Sequence, residues 1–351
     1  MEKLRKILSY FDIPKGAYQF EFISNGLIND TFLVKEGCES NYILQKINTS
    51  VFKNVNGLVK NIAIILSQLD HTAYEKVHLI NTKTGKPILN WENEIWRLMN
   101  YIPDSHVYNT TNDVQIAFET GKILGLFHNL VKGLHPQELE ITIQNFHNLT
   151  YRYAQFLEAY ENASDTHLQE AYHEIDFVKN NISTLLSIDF DKIPLRICHN
   201  DTKLNNVLFS IDKKALCLID LDTLMPGFFL YDFGDAIRTL VNPVTEDERD
   251  LSLIMFDKMM FSSFLKGLKK SGLKFTQTER ESLHFGAILM PFLHGIRALT
   301  DYLEKNKYYK VAYANQNLDR CKSLFRFAEL AVENTNFMKE EIQNRFEILE
   351  N

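Results

Sequence analysis

The sequence predicts an α+β fold of two unequal lobes: a small antiparallel sheet with one helix, then a larger, mainly helical domain. Three observations carry this. At 351 residues the chain is longer than one hydrophobic core usually organises. Residues 18–48 alternate apolar and polar side chains around turn residues, the period of half-buried strands. Beyond Tyr101-Ile102-Pro103 long helical patterns take over, interrupted by one strand-rich island. The division is placed between residues 103 and 104, giving an N-lobe over 1–103 and a C-lobe over 104–351.

Each element follows from local pattern. YQFEFI alternates, SNGLIND supplies a turn, TFLV is apolar and β-branched, and GCES leads into NYILQKI, so two hairpin connections join three strands. NVNGLVKNIAIILSQL then places Leu58, Ile62, Ile65, Leu66 and Leu69 on one helical face. KVHLINTKTGKPILNWENEIWRLMNYI reads as two further strands around a Thr-Gly turn, ending in a hinge near Leu98–Ile102. In the C-lobe, helical patterns recur in IAFETGKILGLFHNLV, NLTYRYAQFLEAY and HLQEAYHEIDFVKNNISTLL. The island, Pro194 to Gly227, interrupts them, and helices are expected to resume at Thr245. There TEDERD reads as a capped, acidic first turn, and Pro291 is expected to kink a later helix.

Composition narrows the function classes. The net charge of −7 argues against nucleic acid and anionic membrane as partners. Cys38, Cys198, Cys217 and Cys321 lie far apart with no paired spacing, so neither a disulfide framework nor a zinc ribbon is expected. The opening MEKLRKILSYFDIPKG lacks the apolar run of a secretory signal, and no stretch reaches the roughly 18 apolar residues of a membrane span. A cytoplasmic protein is expected, monomeric or weakly dimeric.

The island carries the chemistry. In CHNDTKLNNVLF the spacing is His199, Asp201, Lys203, Asn206. Phosphoryl transfer needs a carboxylate that orients a hydroxyl and accepts its proton, together with oxygen ligands that hold Mg²⁺ against phosphates. Asp201 followed five residues later by Asn206 supplies both from one loop, with Lys203 between them for the moving phosphoryl group. The strand ALCLI then leads to Asp220, a second candidate metal ligand. Asp232-Phe233-Gly234 spells the metal motif of protein kinases, yet it follows no strand; Asp232 is expected to accept backbone amides of the catalytic loop, with His199 as a further structural support.

These residues resemble the aminoglycoside phosphotransferase and choline kinase superfamily, a protein-kinase-like fold acting on small molecules. Longer strings, GLINDTFLV, YILQKINTSVF, LRICHNDTKLNN, LIDLDTLMPG, YDFGDAIR and RALTDYLE, are similar to the N-acetylhexosamine 1-kinases. The resemblance implies ATP and Mg²⁺ as cofactors, Asp201 as catalytic base, Asn206 and Asp220 as metal ligands, and a small-molecule sugar as acceptor. It places Asp222, Arg238 and Arg297 at the sugar and adenine against the backbone of the hinge at Asn100 and Ile102. A choline- or aminoglycoside-type acceptor and a catalytically silent nucleotide-binding protein are the other readings.

The sequence departs from the pattern in three places. The phosphate loop has one glycine, Gly26, with Asn29 available to fix it. Gln45 stands where kinases carry a phosphate-binding lysine, Lys46 lies on the opposite face, and the next helix holds no acidic residue, so both halves of the usual ion pair are absent. Leu27 and Thr239 replace a sugar-contacting His and Phe, which leaves the identity of the sugar open. His128, His135, His147 and His294 read as ordinary surface or core histidines, and Tyr308 and Tyr309 as packing residues beside the acceptor pocket.

Overall fold

The computed structural model describes residues 1–23 and 28–347. A short helix α1 (Glu2–Leu8) precedes strands β1 (Tyr18–Ile23), β2 (Asp30–Glu36) and β3 (Glu39–Ile47), helix α2 (Val55–Gln68), and strands β4 (Leu79–Ile80), β5 (Leu89–Trp91) and β6 (Glu94–Asn100). The sheet is antiparallel in the order β1-β2-β3-β6-β4, with β5 paired to β6. Its alternation puts Val34, Leu44, Trp96 and Leu98 on one face, where Leu4, Ile7 and Leu8 of α1 cover them. Those three residues stand at helical spacing within a charged segment, which is why α1 read as scattered apolar residues. The Thr-Gly turn is present, Gly85 having the positive φ of 77° that such a turn needs, but three strands rather than two surround it.

Helix α2 binds this sheet to the rest of the molecule. Its apolar face (Leu58, Ile62, Ile65) enters the largest core cluster together with Phe127, Leu204 and Phe209. Asn61, fully buried, donates from Nδ2 to the carbonyls of Glu140 (2.7 Å) and Leu224 (2.8 Å) and accepts from the Glu140 amide (2.9 Å). A buried amide satisfied on both sides fixes the helix in register against its neighbours.

The helical lobe comprises β7 (Ser105–His106), α3 (Val114–Val131), α4 (Leu149–Asn162), α5 (Asp165–Glu170), α6 (Tyr172–Leu186), the island strands β8 (Arg196–Cys198), β9 (Val207–Ser210), β10 (Ala215–Leu218) and β11 (Met225–Gly227), then α7 (Phe229–Leu240), α8 (Lys258–Lys270), α9 (Gln277–Leu303), α10 (Gln316–Glu333) and α11 (Thr335–Arg345). The island pairs as β10-β9-β7 and β11-β8. Helix resumes at Phe229, not Thr245. The TEDERD run begins no α-helix, only a single 3₁₀ turn (Leu251–Leu253) capped by Asp250: α8 starts at Lys258 behind the Asp257 cap, and Glu246 is drawn into ion pairs with Arg238 and Arg320. Helix α9 runs as one helix through Pro291. No helix among the described residues is long and apolar enough to cross a membrane.

Candidate active site

A cleft of about 590 Å³ runs between the sheet and the helical lobe. Its inner end is apolar, walled by Ile28, Ile43, Val77, Leu79, Met99 and Ile219 beside the hinge. The hinge amides are divided in use: Asn100 donates to the His78 carbonyl (3.2 Å) and Tyr101 to that of Asn41 (3.0 Å), whereas nothing among the described residues accepts from Ile102. Ile102 therefore retains a donor for the edge of a planar base. Gly26 and Leu27 lie outside the described residues.

The catalytic loop leaves β8 under tight control. Asp232, fully buried in α7, accepts the amides of His199 (2.9 Å) and Asn200 (2.6 Å), the Nε2–H of His128 (2.9 Å) and, through its carbonyl, the hydroxyl of Thr202 (2.5 Å). The kinase-like DFG letters thus sit inside a helix, behind the loop and away from the cleft lining. His199 Nε2 donates to the Ile219 carbonyl (2.8 Å), tying the loop to the residue before Asp220, and the Thr239 hydroxyl accepts the Leu204 amide (2.9 Å). Asn200 takes the left-handed conformation, φ 62°, and its side chain donates to the carbonyls of Cys198, Thr223 and Met225. His128, Cys198 and Asp232 are close enough together to resemble a metal site, but both Asp232 oxygens already have hydrogen-bond donors.

At the cleft floor, Asn206 Nδ2 donates to the Asp201 carbonyl (2.7 Å) and to Asp201 Oδ2 (2.8 Å), and Lys203 Nζ lies 3.1 Å from the same oxygen. Asp201 Oδ1 has no partner among the described residues, and neither does Asn206 Oδ1. Asp220, in the left-handed conformation (φ 60°), turns back towards them. Although its carboxylate is accessible from the cleft, the surrounding protein holds it away from bulk water. That withdrawal, with the charges of Asp222 and Asp201, pushes its carboxyl up to about 6. Around Lys203, burial opposes the charge but Asp201, Asp220 and Glu246 outweigh it, raising the ammonium above its ordinary value. Hard oxygen donors gathered beside a carboxylate that its neighbours keep from ionising readily, Asp220, fit a divalent cation, which would supply positive charge there.

Asp222, two residues on, faces the sheet. Its Oδ2 accepts from Asn29 Nδ2 (2.7 Å) and its Oδ1 from Arg97 of β6, and both Arg97 and Asp222 are buried. Arg97 Nε and Nη2 in turn donate to Gln45 Oε1 (2.9 and 2.7 Å), while Gln45 Nε2 donates to Thr31 Oγ1 (2.9 Å). Sequence reasoning missed Arg97: it names nothing in the motifs, and only the register that pairs Gln45 with Arg97 across β3 and β6 brings it into the site.

The outer end of the cleft is rich in arginine. Arg238 donates from Nε to Asp235 (2.7 Å) and from Nη1 to Glu246, and Arg320 pairs with the other Glu246 oxygen (2.7 Å). Arg297 has no carboxylate partner among the described residues; its guanidinium lies 5.2 Å from the Phe146 ring centroid. His294, one turn before Arg297, belongs to the same wall; its Nε2 lies 3.3 Å from Asp235 Oδ1, and burial holds the ring neutral, down to about 3. Tyr308 and Tyr309 line the cleft too, their amides held by Asp301 (2.7 and 2.9 Å). His147 donates from Nε2 to the Asn200 carbonyl (2.8 Å) beneath the loop.

Residues 19–255, more than half of the chain, match the model of the phosphotransferase enzyme family. The chain belongs to that family. Solved structures share the fold of this phosphotransferase over nearly its whole length. A microcompartment-associated aminopropanol kinase superposes with a TM-score of 0.64 at 14% identity, covering 96% of this chain and 98% of its own. An aminoglycoside phosphotransferase from Alicyclobacillus acidocaldarius gives 0.61 at 13% identity, covering 97% and 96%, and a choline kinase from Streptococcus pneumoniae 0.55 at 14%, covering 94% and 99%. The expected bilobal, protein-kinase-like α+β fold is therefore found. Membership of that family makes the chain a phosphotransferase; an amicoumacin kinase of the same fold, at 12% identity and a TM-score of 0.62, was solved in complex with AMP-PNP and Ca²⁺.

Proposed function

We propose that this phosphotransferase moves the γ-phosphoryl group of ATP, with Mg²⁺, to a hydroxyl of a sugar of the N-acetylhexosamine class, at the anomeric position. The observation that supports a sugar over an amino cation is the outer end of the cleft, where Arg238 is paired with Asp235 and Glu246 and Arg320 with Glu246, while Arg297 has no carboxylate partner among the described residues. A cationic acceptor would meet the unpaired charge of Arg297 there, whereas the same guanidinium offers N–H groups to hydroxyl and carbonyl oxygens. Among the three residues expected at the sugar, Arg297 has the uncommitted donors. Arg238 is occupied by two carboxylates and Asp222 by the sheet, so both act through the shape of the pocket.

In this reading Asp201 Oδ1 accepts the hydroxyl proton while Oδ2 is steadied by Asn206 and Lys203. Asn206 Oδ1 and Asp220 would hold Mg²⁺, which would supply positive charge to offset that of the phosphates. Lys203 offsets charge on the transferring group, and adenine lies between the apolar walls with its edge at the Ile102 amide. Asp232 and His199 keep the loop in place. Positioning and charge stabilisation carry most of such a reaction.

Purified protein with Mg-ATP should phosphorylate N-acetylglucosamine or N-acetylgalactosamine from a panel that includes glucose, choline and kanamycin. Asp201→Asn and Asp220→Ala should each lower turnover by about three orders of magnitude or more while leaving thermal unfolding cooperative. Phosphate on choline or kanamycin alone would replace the sugar reading with the amino-cation one. ATP binding without turnover on any acceptor would favour a silent protein.

A further inference from the structure

The absent lysine–glutamate pair leaves open what fastens the sheet to the metal-binding turn. Gln45 occupies the lysine position and α2 contains no acidic residue. A cation is nevertheless present: Arg97 reaches the same place from the neighbouring strand, directly across the ladder from Gln45. Gln45 is fixed as its support, since its amide nitrogen is committed to Thr31 and its oxygen receives two Arg97 N–H groups. The guanidinium then holds Asp222, whose second oxygen is taken by Asn29, itself anchored by accepting the Asn48 amide (3.0 Å). Two residues of the sheet region thus grip one carboxylate of the helical lobe. That carboxylate sits one residue from Asp220's neighbour in the tight 221–223 turn.

We propose that Arg97 is the positioning residue that stands in for the missing strand lysine, holding Asp222, and with it the Asp220 turn, against the sheet so that Mg-ATP finds its ligands in place. The inference rests on reading the cleft as a Mg-ATP site. The geometry favours positioning over direct phosphate contact. Arg97 is 1% exposed, and three of its five N–H groups are committed to Gln45 and Asp222. Asp222 is 1% exposed as well, so the pair is sealed from solvent, where charge-assisted bonds hold geometry most firmly. A lysine on β3 would place one point charge here; the planar fork of arginine joins two partners on two lobes.

The test measures binding of AMP-PNP to the full chain, with and without Mg²⁺, for the unaltered protein, Arg97→Gln, Arg97→Lys and the swap Gln45→Lys/Arg97→Gln. Loss of one charge-assisted contact predicts that Arg97→Gln weakens Mg-AMP-PNP about ten-fold or more. Metal-free AMP-PNP, which relies on the hinge and the apolar walls, should change less than about three-fold on the same scale. Because the swap returns a cation to β3, it should recover part of the Mg-dependent loss. If Arg97→Gln does not fold, Arg97→Lys and the swap carry the same comparison. Equal weakening of both nucleotide forms, or no weakening of either, would overturn the positioning role. Failure of the unaltered protein to bind Mg-AMP-PNP at all would overturn the kinase reading itself.

Discussion

Asp232 shows how much one buried carboxylate organises. Two loop amides, a histidine N–H and, through its main chain, a threonine hydroxyl converge on a residue with no access to solvent. Asp232→Asn keeps the shape but turns an acceptor into a donor that faces donors. The cost expected from an unsatisfied buried group is about 2–4 kcal/mol, measured by urea unfolding, with turnover falling as the loop loosens. Its letters in the sequence suggest a metal ligand. From sequence alone its distance from Asp201 and the expected lack of a preceding strand argue against that; in the structure a short strand, β11, does precede it, and it is its place within α7, behind the loop, that decides the matter. Arg97 is the opposite case: no motif marks it, and its role arises from the residue paired with it across a ladder.

At the scale of elements, close helix crossings set the site. Gly234 of α7 lies against the Gly286 carbonyl of α9, and Gly286 against the Leu230 carbonyl, so a methyl group at either position would run into backbone. This approach brings Asp235 and Arg238 on α7 beside His294 on α9. Gly234→Ala is expected to force the helices apart, lowering stability by about 2 kcal/mol or more in urea unfolding and raising the KM for the acceptor more than that for ATP. The alternating strands of the small sheet and the island were legible because period and turn residues agree there. Helix α1 was not: its three buried residues are separated by charges, and its helix is justified by the sheet face it covers. The TEDERD segment misled for a similar reason, since its acids serve a tertiary ion-pair cluster instead of a helix start.

For the whole molecule, pH dependence follows from histidines the fold keeps neutral. Burial lowers His147 and His284 to about 4 and His294 to about 3, and His128 is lowered as well. Unfolded, all four titrate near 6.5, so between that value and about 4 the unfolded chain binds protons that the native state refuses, and stability falls with acidification. Asp220, raised to about 6, works in the opposite direction, but one group faces four. The melting temperature should fall by several degrees from pH 7 to pH 5 at constant ionic strength; a flat profile over that interval would contradict the burial argument. Within a chain of net charge −7, the outer end of the cleft keeps Arg238 and Arg320 ion-paired with Asp235 and Glu246 and leaves Arg297 without a carboxylate partner among the described residues.

Residue type and spacing along the chain were sufficient to identify the kinase-like loop, its candidate base and metal ligands, the strand-rich island and the two-lobed α+β plan, because those features depend on neighbours within a few residues. What joins distant segments was decided by the tertiary structure: Arg97 beside Gln45, Asp222 gripped from the sheet, the histidines behind the loop, and arginines gathered at one end of the cleft. Ladder register and helix crossings bring these residues together, and neither is written in local periodicity.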